Sequence, residues 1–223
     1  AFLEKKRLAA ELAKSDSSKK KFSDEAEKYA AQVSLVEQSM SMLEDEKVSG
    51  PDNVRCFESS YAVSLSAAQN DAYSAVKSAF QEHLPVLLNG ITGSGKTEIY
   101  VKLALETMRQ GKNVLYMIPE IAVSRQLEER LRRIFGAYLF TFHSKVTAAK
   151  REDVASEIRS GNYIVLGTRS SIFLPHHDLG LIIVDEEHDT SYKQDAPAPR
   201  YNGRDTALML ARIYGAEIIL GTA

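Results

Sequence analysis

An α/β lobe with a parallel sheet, preceded by a small helical module, is the fold class this sequence predicts, on three observations. Six short apolar runs recur between longer stretches of helical periodicity. One run leads directly into a glycine-rich loop that ends in a lysine. The composition changes near residue 50, where a charged, helically patterned beginning gives way to that alternation.

Residues 1–64 read as the small module. Leu3, Leu8 and Leu12 form one stripe at helical spacing, and a Ser/Lys-rich break follows over residues 15–21. Phe22, Ala26, Tyr29, Ala30 and Val33 mark a second helical segment. Ser34 with Glu37 three residues later makes a capping box, which opens a third helix with Met40, Leu43 and Val48 facing inward. Ser49-Gly50-Pro51-Asp52-Asn53 is a turn cluster, and residues 56–63 predict a short strand. Three helices and a strand suggest a winged-helix or helix-turn-helix module; a plain helical spacer fits the same pattern.

Residues 65–223 form the lobe. Its runs are Val86-Leu87-Leu88, Val114-Leu115-Tyr116-Met117-Ile118, Leu139-Phe140-Thr141-Phe142, Ile164-Val165-Leu166, Leu181-Ile182-Ile183-Val184 and Ile218-Ile219-Leu220. Unbroken apolar runs are what a parallel sheet covered by helices on both faces requires. The helical stretches between them complete βαβ units of a doubly wound sheet.

The first run enters Gly90-Ile91-Thr92-Gly93-Ser94-Gly95-Lys96-Thr97, and a helix follows. This is the strand–loop–helix context of a P-loop. Glycines let successive backbone N–H groups turn toward phosphate oxygens, and the helix N-terminus adds partial positive charge. Lys96 can then reach the β/γ-phosphates of ATP, and the Thr97 hydroxyl can hold Mg²⁺. The strand at residues 181–184 delivers Asp185 to its C-terminal end, the edge where open parallel sheets bind ligands. Asp185 is placed to hold Mg²⁺, and Glu186 beside it to orient and deprotonate a water.

Other features exclude function classes. Lysine and arginine nearly balance aspartate and glutamate, giving a net charge of −2, so any nucleic-acid contact must be local. One cysteine, Cys56, rules out a disulfide framework and an internal zinc cluster. No apolar run approaches the roughly 20 residues of a membrane span, and a cytoplasmic protein is expected. His188 lacks partners at zinc-ligand spacing, and His176-His177 read as solvated loop residues. An alanine at position 1 and an end at Gly221-Thr222-Ala223 read as a fragment.

Asp185-Glu186-Glu187-His188 after a P-loop resembles the superfamily 2 helicases, which implies a RecA-like P-loop NTPase lobe. Phe142-His143-Ser144, Gly167-Thr168-Arg169-Ser170, Ser191-Tyr192-Lys193-Gln194 and Arg200-Tyr201-x-x-Arg204-Asp205 narrow the resemblance to the PriA family of bacterial replication-restart helicases. Thr92 to Glu98 and Pro119-Glu120-Ile121 match as well. The resemblance is dense from about Leu65 onward and thin before it.

That resemblance implies a DNA-dependent ATPase that recognises stalled replication forks, unwinds duplex and initiates primosome assembly in the bacterial cytoplasm. Forked and single-stranded DNA, primosome proteins and single-stranded DNA-binding protein are the implied partners, without a membrane. Gln69 matches a position that reads adenine, although Ser66-x-x-Gln69 is also a capping box. Glu120, Arg125 and Gln126 fall in a segment that lines the DNA track. Arg169 matches a DNA-contacting position, and His188 one that couples the ATP site to DNA. The stretch carrying Tyr192, Lys193, Arg200 and Tyr201 resembles an aromatic-rich loop that senses unpaired bases. Pro197, Pro199 and Asn202-Gly203 depart from that loop's usual residues. A zinc region and a second lobe with an arginine finger belong to other parts of such proteins, so this chain alone is expected to be weakly active or inactive.

The third helix of the first module ends Glu44-Asp45-Glu46, which opposes phosphate contact and favours weak DNA binding or protein contact. Lys19-Lys20-Lys21 reads as a solvated cluster. Two other functions remain open on the motifs: another superfamily 2 translocase, or a nucleotide-gated binding module without turnover.

Overall fold

A computed structural model describes residues 57–223 apart from 92, 121–124, 144–145 and 195–199. The three proposed helices of the first module, Cys56, Thr92, Ile121, Ser144, Pro197 and Pro199 lie outside the described residues. Each apolar run forms a strand. In chain order the elements are α1 (Ala67–Gln81), β1 (Val86–Asn89), α2 (Lys96–Arg109), β2 (Asn113–Met117), α3 (Arg125–Phe135), β3 (Leu139–Phe142), α4 (Ala148–Glu157), β4 (Ile164–Gly167), β5 (Leu179–Val184), α5 (Gly203–Tyr214) and β6 (Glu217–Thr222). Short 3-10 turns cover Arg169–Phe173 and Thr190–Tyr192.

The strands form one parallel sheet in the order β1-β6-β5-β2-β4-β3. The chain runs outward from β1 through β2 to β3, then returns through β4 and β5 to β6. That return sets β6 between β1 and β5, with Asn89 opposite Thr222 and Val184 opposite Leu220. Side chains alternate between two cores, as a period of two dictates. Val114, Tyr116, Leu181 and Ile183 join α1, α2 and α3 on one face. Leu115, Met117, Ile182 and Val184 join Val154 and Ile158 near α4 and Ala207 and Ala211 of α5 on the other. Burial on both faces explains why β2, β4 and β5 carry no polar alternation.

Three sequence expectations change. Strand β1 has β6 as its neighbour and alternates in burial, leaving Leu87 61% exposed; an edge strand need not be covered on both faces. Residues 57–66 form no strand. Their apolar side chains anchor the segment instead: Phe57 is buried, edge-on to Tyr138 at 5.2 Å, and Val63 and Leu65 pack on the same core. The Arg109 guanidinium donates to the Ser59 and Tyr61 carbonyls at 3.0 and 2.8 Å, satisfying backbone that a ladder would otherwise pair.

The third change concerns His176, which is buried rather than solvated. Its Nε2 lies 2.9 Å from the Ser171 carbonyl, a contact that requires an N–H there. Its Nδ1 accepts from the Tyr163 hydroxyl at 3.0 Å. This is the neutral tautomer, and burial pushes the imidazole down to about 4. Because the folded value lies below the unfolded one near 6.5, the contribution to stability is complete above pH 6.5 and is lost as pH falls toward 4. The loss amounts to roughly 3 kcal/mol across that window. Urea unfolding of the chain and of His176→Asn, compared at pH 7 and pH 4.5, should show a shallower pH dependence in the variant; parallel curves would remove His176 as the titrating group.

Candidate active site

The C-terminal ends of β1, β5 and β6 bring two predicted motifs together. Gly90 N–H donates to the Thr222 carbonyl at 3.1 Å, tying the start of the phosphate loop to the end of β6. The loop closes on itself through Ser94 N–H to the Ile91 carbonyl at 3.0 Å. Gly95 caps α2 with φ 85°, a left-handed conformation that glycine adopts without strain. A Cβ there would also lie 2.0 Å from Gln69 Nε2. Lys96 and Thr97 then open α2, whose first-turn Glu98 pairs with Arg130 at 2.8 Å. The Lys96 ammonium donates to the Gly90 carbonyl and lies 3.8 Å from Glu186 Oε1.

The capping reading of Gln69 holds in the geometry, and its side chain also reaches the phosphate loop. Its Oε1 accepts from Ser66 N–H at 2.8 Å, and Ser66 Oγ accepts from Gln69 N–H at 3.3 Å, completing the capping box of α1. Its Nε2 donates to the Ser94 and Gly95 carbonyls at 3.4 and 3.3 Å. The capping residue is therefore also a brace on the phosphate loop.

The carboxylate turn follows β5. Asp185 N–H donates to the Met117 carbonyl at 2.9 Å, continuing the ladder one residue past the strand. Glu186 then adopts φ 46°, uncommon for a residue with a Cβ and held here by the Asp189 N–H to Glu186 carbonyl bond at 2.9 Å. Glu187 turns away to Arg204 of α5, 2.9 Å distant. Of the two glutamates, Glu186 faces Lys96. Burial and the neighbouring Glu186 carboxylate push Asp185 above its ordinary range, while the Tyr116 hydroxyl and the Glu186 amide pull it back.

Several residues at this site carry no motif signal. Tyr100 of α2 donates to Asp185 Oδ1 at 3.3 Å, and Tyr116 of β2 to Oδ2 at 3.2 Å. Thr222 Oγ1 lies 2.9 Å from His188 Nδ1, while His188 Nε2 lies 3.8 Å from Glu186 Oε2. His188 thus bridges the carboxylate turn and the end of β6. Thr222 ends β6, whose place beside β1 comes from the strand order alone, and the tyrosines read as ordinary core.

The predicted DNA-side residues separate into two groups. Tyr192 is 2% exposed, so it lies beneath the turn rather than on the surface, and its hydroxyl donates to the Asp185 carbonyl at 2.7 Å. Arg169 donates to the Ser191 and Lys193 carbonyls at 2.9 and 3.0 Å. Glu120 N–H reaches Ser191 Oγ at 3.3 Å. Lys193 and Arg200 are exposed, as are Arg125 and Gln126 at the start of α3. Tyr201 is half-buried and meets the exposed Phe173 edge-on, with ring centroids 5.0 Å apart.

Among the described residues no group of three His, Cys, Asp or Glu side chains is placed to hold a metal ion. Thr97 and Asp185 instead offer hard oxygen donors. That set suits Mg²⁺, which keeps waters and phosphate oxygens rather than an all-protein cage.

The DEAD/DEAH box helicase family matches residues 66–222. The replication restart protein PriA of Helicobacter pylori strain 26695 is 45% identical over 144 residues, which is 64% of this chain and 23% of that protein. PriA of Bacillus subtilis is 34% identical over 176 residues, 78% of this chain and 22% of that protein. The chain therefore spans about a quarter of the length of these relatives. In fold it is similar to RecG bound to a three-way DNA junction, with a TM-score of 0.52 and 19% identity over 74% of this chain and 21% of that one. It is also similar to the Hef helicase domain of Pyrococcus furiosus, at TM-score 0.50 and 20% identity over 70% and 32%. Among the described residues no helix is long and apolar enough to cross a membrane.

Removing the Tyr192 hydroxyl leaves the partly buried Asp185 carbonyl without that donor, which costs about 1 kcal/mol. Tyr192→Phe should lower the thermal midpoint accordingly, measured by circular dichroism; a midpoint equal to the parent's would show that the bond contributes no net stability.

Proposed function

We propose a function from one premise, that this chain belongs to the DEAD/DEAH box helicase family: it is the ATP-binding lobe of a DNA helicase of the replication-restart type. The observation that carries the reading is the convergence of Lys96 and Glu186, 3.8 Å apart, beside Asp185 at the C-terminal edge of the sheet. A binding module without turnover has no use for a carboxylate at that place.

On this reading the loop of Gly90, Thr92, Gly93, Ser94 and Gly95 curls around the β- and γ-phosphates of ATP, which meet the positive N-terminal end of α2. Lys96 carries their charge. Thr97 and Asp185 would hold Mg²⁺, which would supply positive charge against the phosphates. Glu186 accepts the proton of a water whose oxygen bonds to the γ-phosphorus while the bond to the β,γ-bridging oxygen breaks, giving ADP and phosphate. Gln69 reads adenine, a role supported by the resemblance, and braces the loop through the Ser94 and Gly95 carbonyls. His188 links Glu186 to Thr222 and is the coupling residue.

Single-stranded DNA binds on the side of Arg125, Lys193, Arg200 and Tyr201, through phosphate contacts and stacking. Arg169 and Tyr192 act from beneath, holding the loop that carries those contacts. Forked DNA, primosome proteins and single-stranded DNA-binding protein are proposed partners in the bacterial cytoplasm. Their support is the resemblance to PriA across the described lobe.

In a full-length helicase containing this lobe, Lys96→Ala should reduce DNA-stimulated ATP hydrolysis about 10²-fold or more. Retained turnover would remove the phosphate-loop assignment. Glu186→Gln should bind ATP with near-parental affinity and hydrolyse it roughly 10²–10⁴-fold more slowly in a phosphate-release assay. A variant that still turned over would transfer the base to another group.

A further inference from the structure

Asp185 is gripped from two sides by phenols that the family motifs do not include. Tyr100 and Tyr116 are 0% and 1% exposed, and their rings meet edge-on at 5.7 Å and 78°. Tyr100 comes from α2, one turn after Thr97, so the helix that opens at the phosphate loop also reaches the carboxylate. Tyr116 comes from β2, the neighbour of β5, in register with Ile183. A Cβ at position 221 would lie 1.8 Å from the Tyr100 hydroxyl and 3.0 Å from Asp185 Oδ1, so Gly221 leaves the space in which the two meet.

The donors divide unevenly between the two oxygens. Oδ1 accepts from the Tyr100 hydroxyl and from Glu186 N–H at 3.1 Å. Oδ2 accepts from Tyr116. A carboxylate oxygen has two lone pairs. Among the described residues Oδ1 is therefore saturated, and Oδ2 retains one lone pair.

We propose that Tyr100 and Tyr116 are positioning residues for Asp185, holding its carboxylate so that Oδ2 is the oxygen presented to a divalent cation. The inference rests on the reading of this site as a Mg²⁺–nucleotide site. Hydrogen bonds to a ligating carboxylate fix its orientation and typically alter metal affinity by 10–100-fold when removed. Buried phenols also need acceptors for their own sake, and that alternative predicts a change in stability without a change in metal dependence.

The test titrates binding of a fluorescent ATP analogue to the chain against Mg²⁺, with a parallel series in EDTA. Tyr100→Phe/Tyr116→Phe keeps both rings and should raise the half-saturating Mg²⁺ concentration about tenfold while leaving metal-free binding unchanged. In an Asp185→Asn background the same substitutions should change the Mg²⁺ requirement no further, as residues acting through one carboxylate are non-additive. An unchanged requirement, an equal loss in both series, or additive losses in the Asp185→Asn background would each overturn the proposal. Tyr116→Phe alone, which acts on the oxygen with the free lone pair, carries the same test if the double variant does not fold. Absence of Mg²⁺-dependent binding by the parent chain would instead refute the nucleotide-site reading, and this inference with it.

Discussion

The insertion of β6 between β1 and β5 is the constraint on which the rest of the structure depends. Parallel strands separated by crossovers bring distant segments side by side at one edge. Here β6 carries Thr222 beside Asn89 and Leu220 beside Val184, so a loop at residue 90 and a turn at residue 185 become neighbours. The closing contacts are main-chain bonds: Gly90 N–H to the Thr222 carbonyl, and Glu187 N–H to the Gly221 carbonyl at 2.8 Å. Both motifs are thus anchored on the last strand, although neither includes it. Side chains can then act across the gap at short range, as Lys96 and Glu186 do.

Close approach of like charges is the cost of that arrangement. Asp185 and Glu186 are adjacent carboxylates on a partly buried edge, which raises Asp185. The fold answers with donors of three kinds: the Lys96 ammonium, the Glu186 backbone amide and the two phenols. Glu187, a third acid in the same turn, is drawn off by Arg204. Three consecutive acids therefore separate into one held by phenols, one facing Lys96 and one paired with α5.

The sheet was legible because strands covered on both faces must be apolar without interruption, and β2, β4 and β5 are. The phosphate loop, Asp185 and the capping residue Ser66 were legible because each depends on local spacing. The Tyr100–Asp185 and Tyr116–Asp185 contacts were not, since they join residues 85 and 69 positions apart and each tyrosine reads as core. His176 misled for a related reason: burial of a loop histidine depends on Tyr163 and Ser171, which no periodicity places beside it. Phe57 suggested a strand by its neighbours, yet it serves as an anchor on α3 and Tyr138, a choice made by tertiary packing rather than propensity.

Tyr192 gives the clearest case of a residue whose neighbourhood was legible and whose direction was not. Its sequence context places it in a loop with Lys193, Arg200 and Tyr201, and side chains there divide between the surface and the core. The Asp189 side chain accepts from Ser191 N–H at 2.7 Å, starting the short 3-10 turn that rotates Tyr192 inward. Arg169 then holds the carbonyls on either side of it, and Lys193 bridges to Asn202, the residue that caps α5. The turn is therefore held by the Asp189 carboxylate, the Arg169 guanidinium, the Tyr192 hydroxyl and main-chain groups. A movement of residues 191–193 must either break the Tyr192 bond to the Asp185 carbonyl or carry that carbonyl with it. The loop and the carboxylate turn therefore constitute one mechanical unit, and on the proposed reading that unit joins the DNA-facing surface to the ATP site.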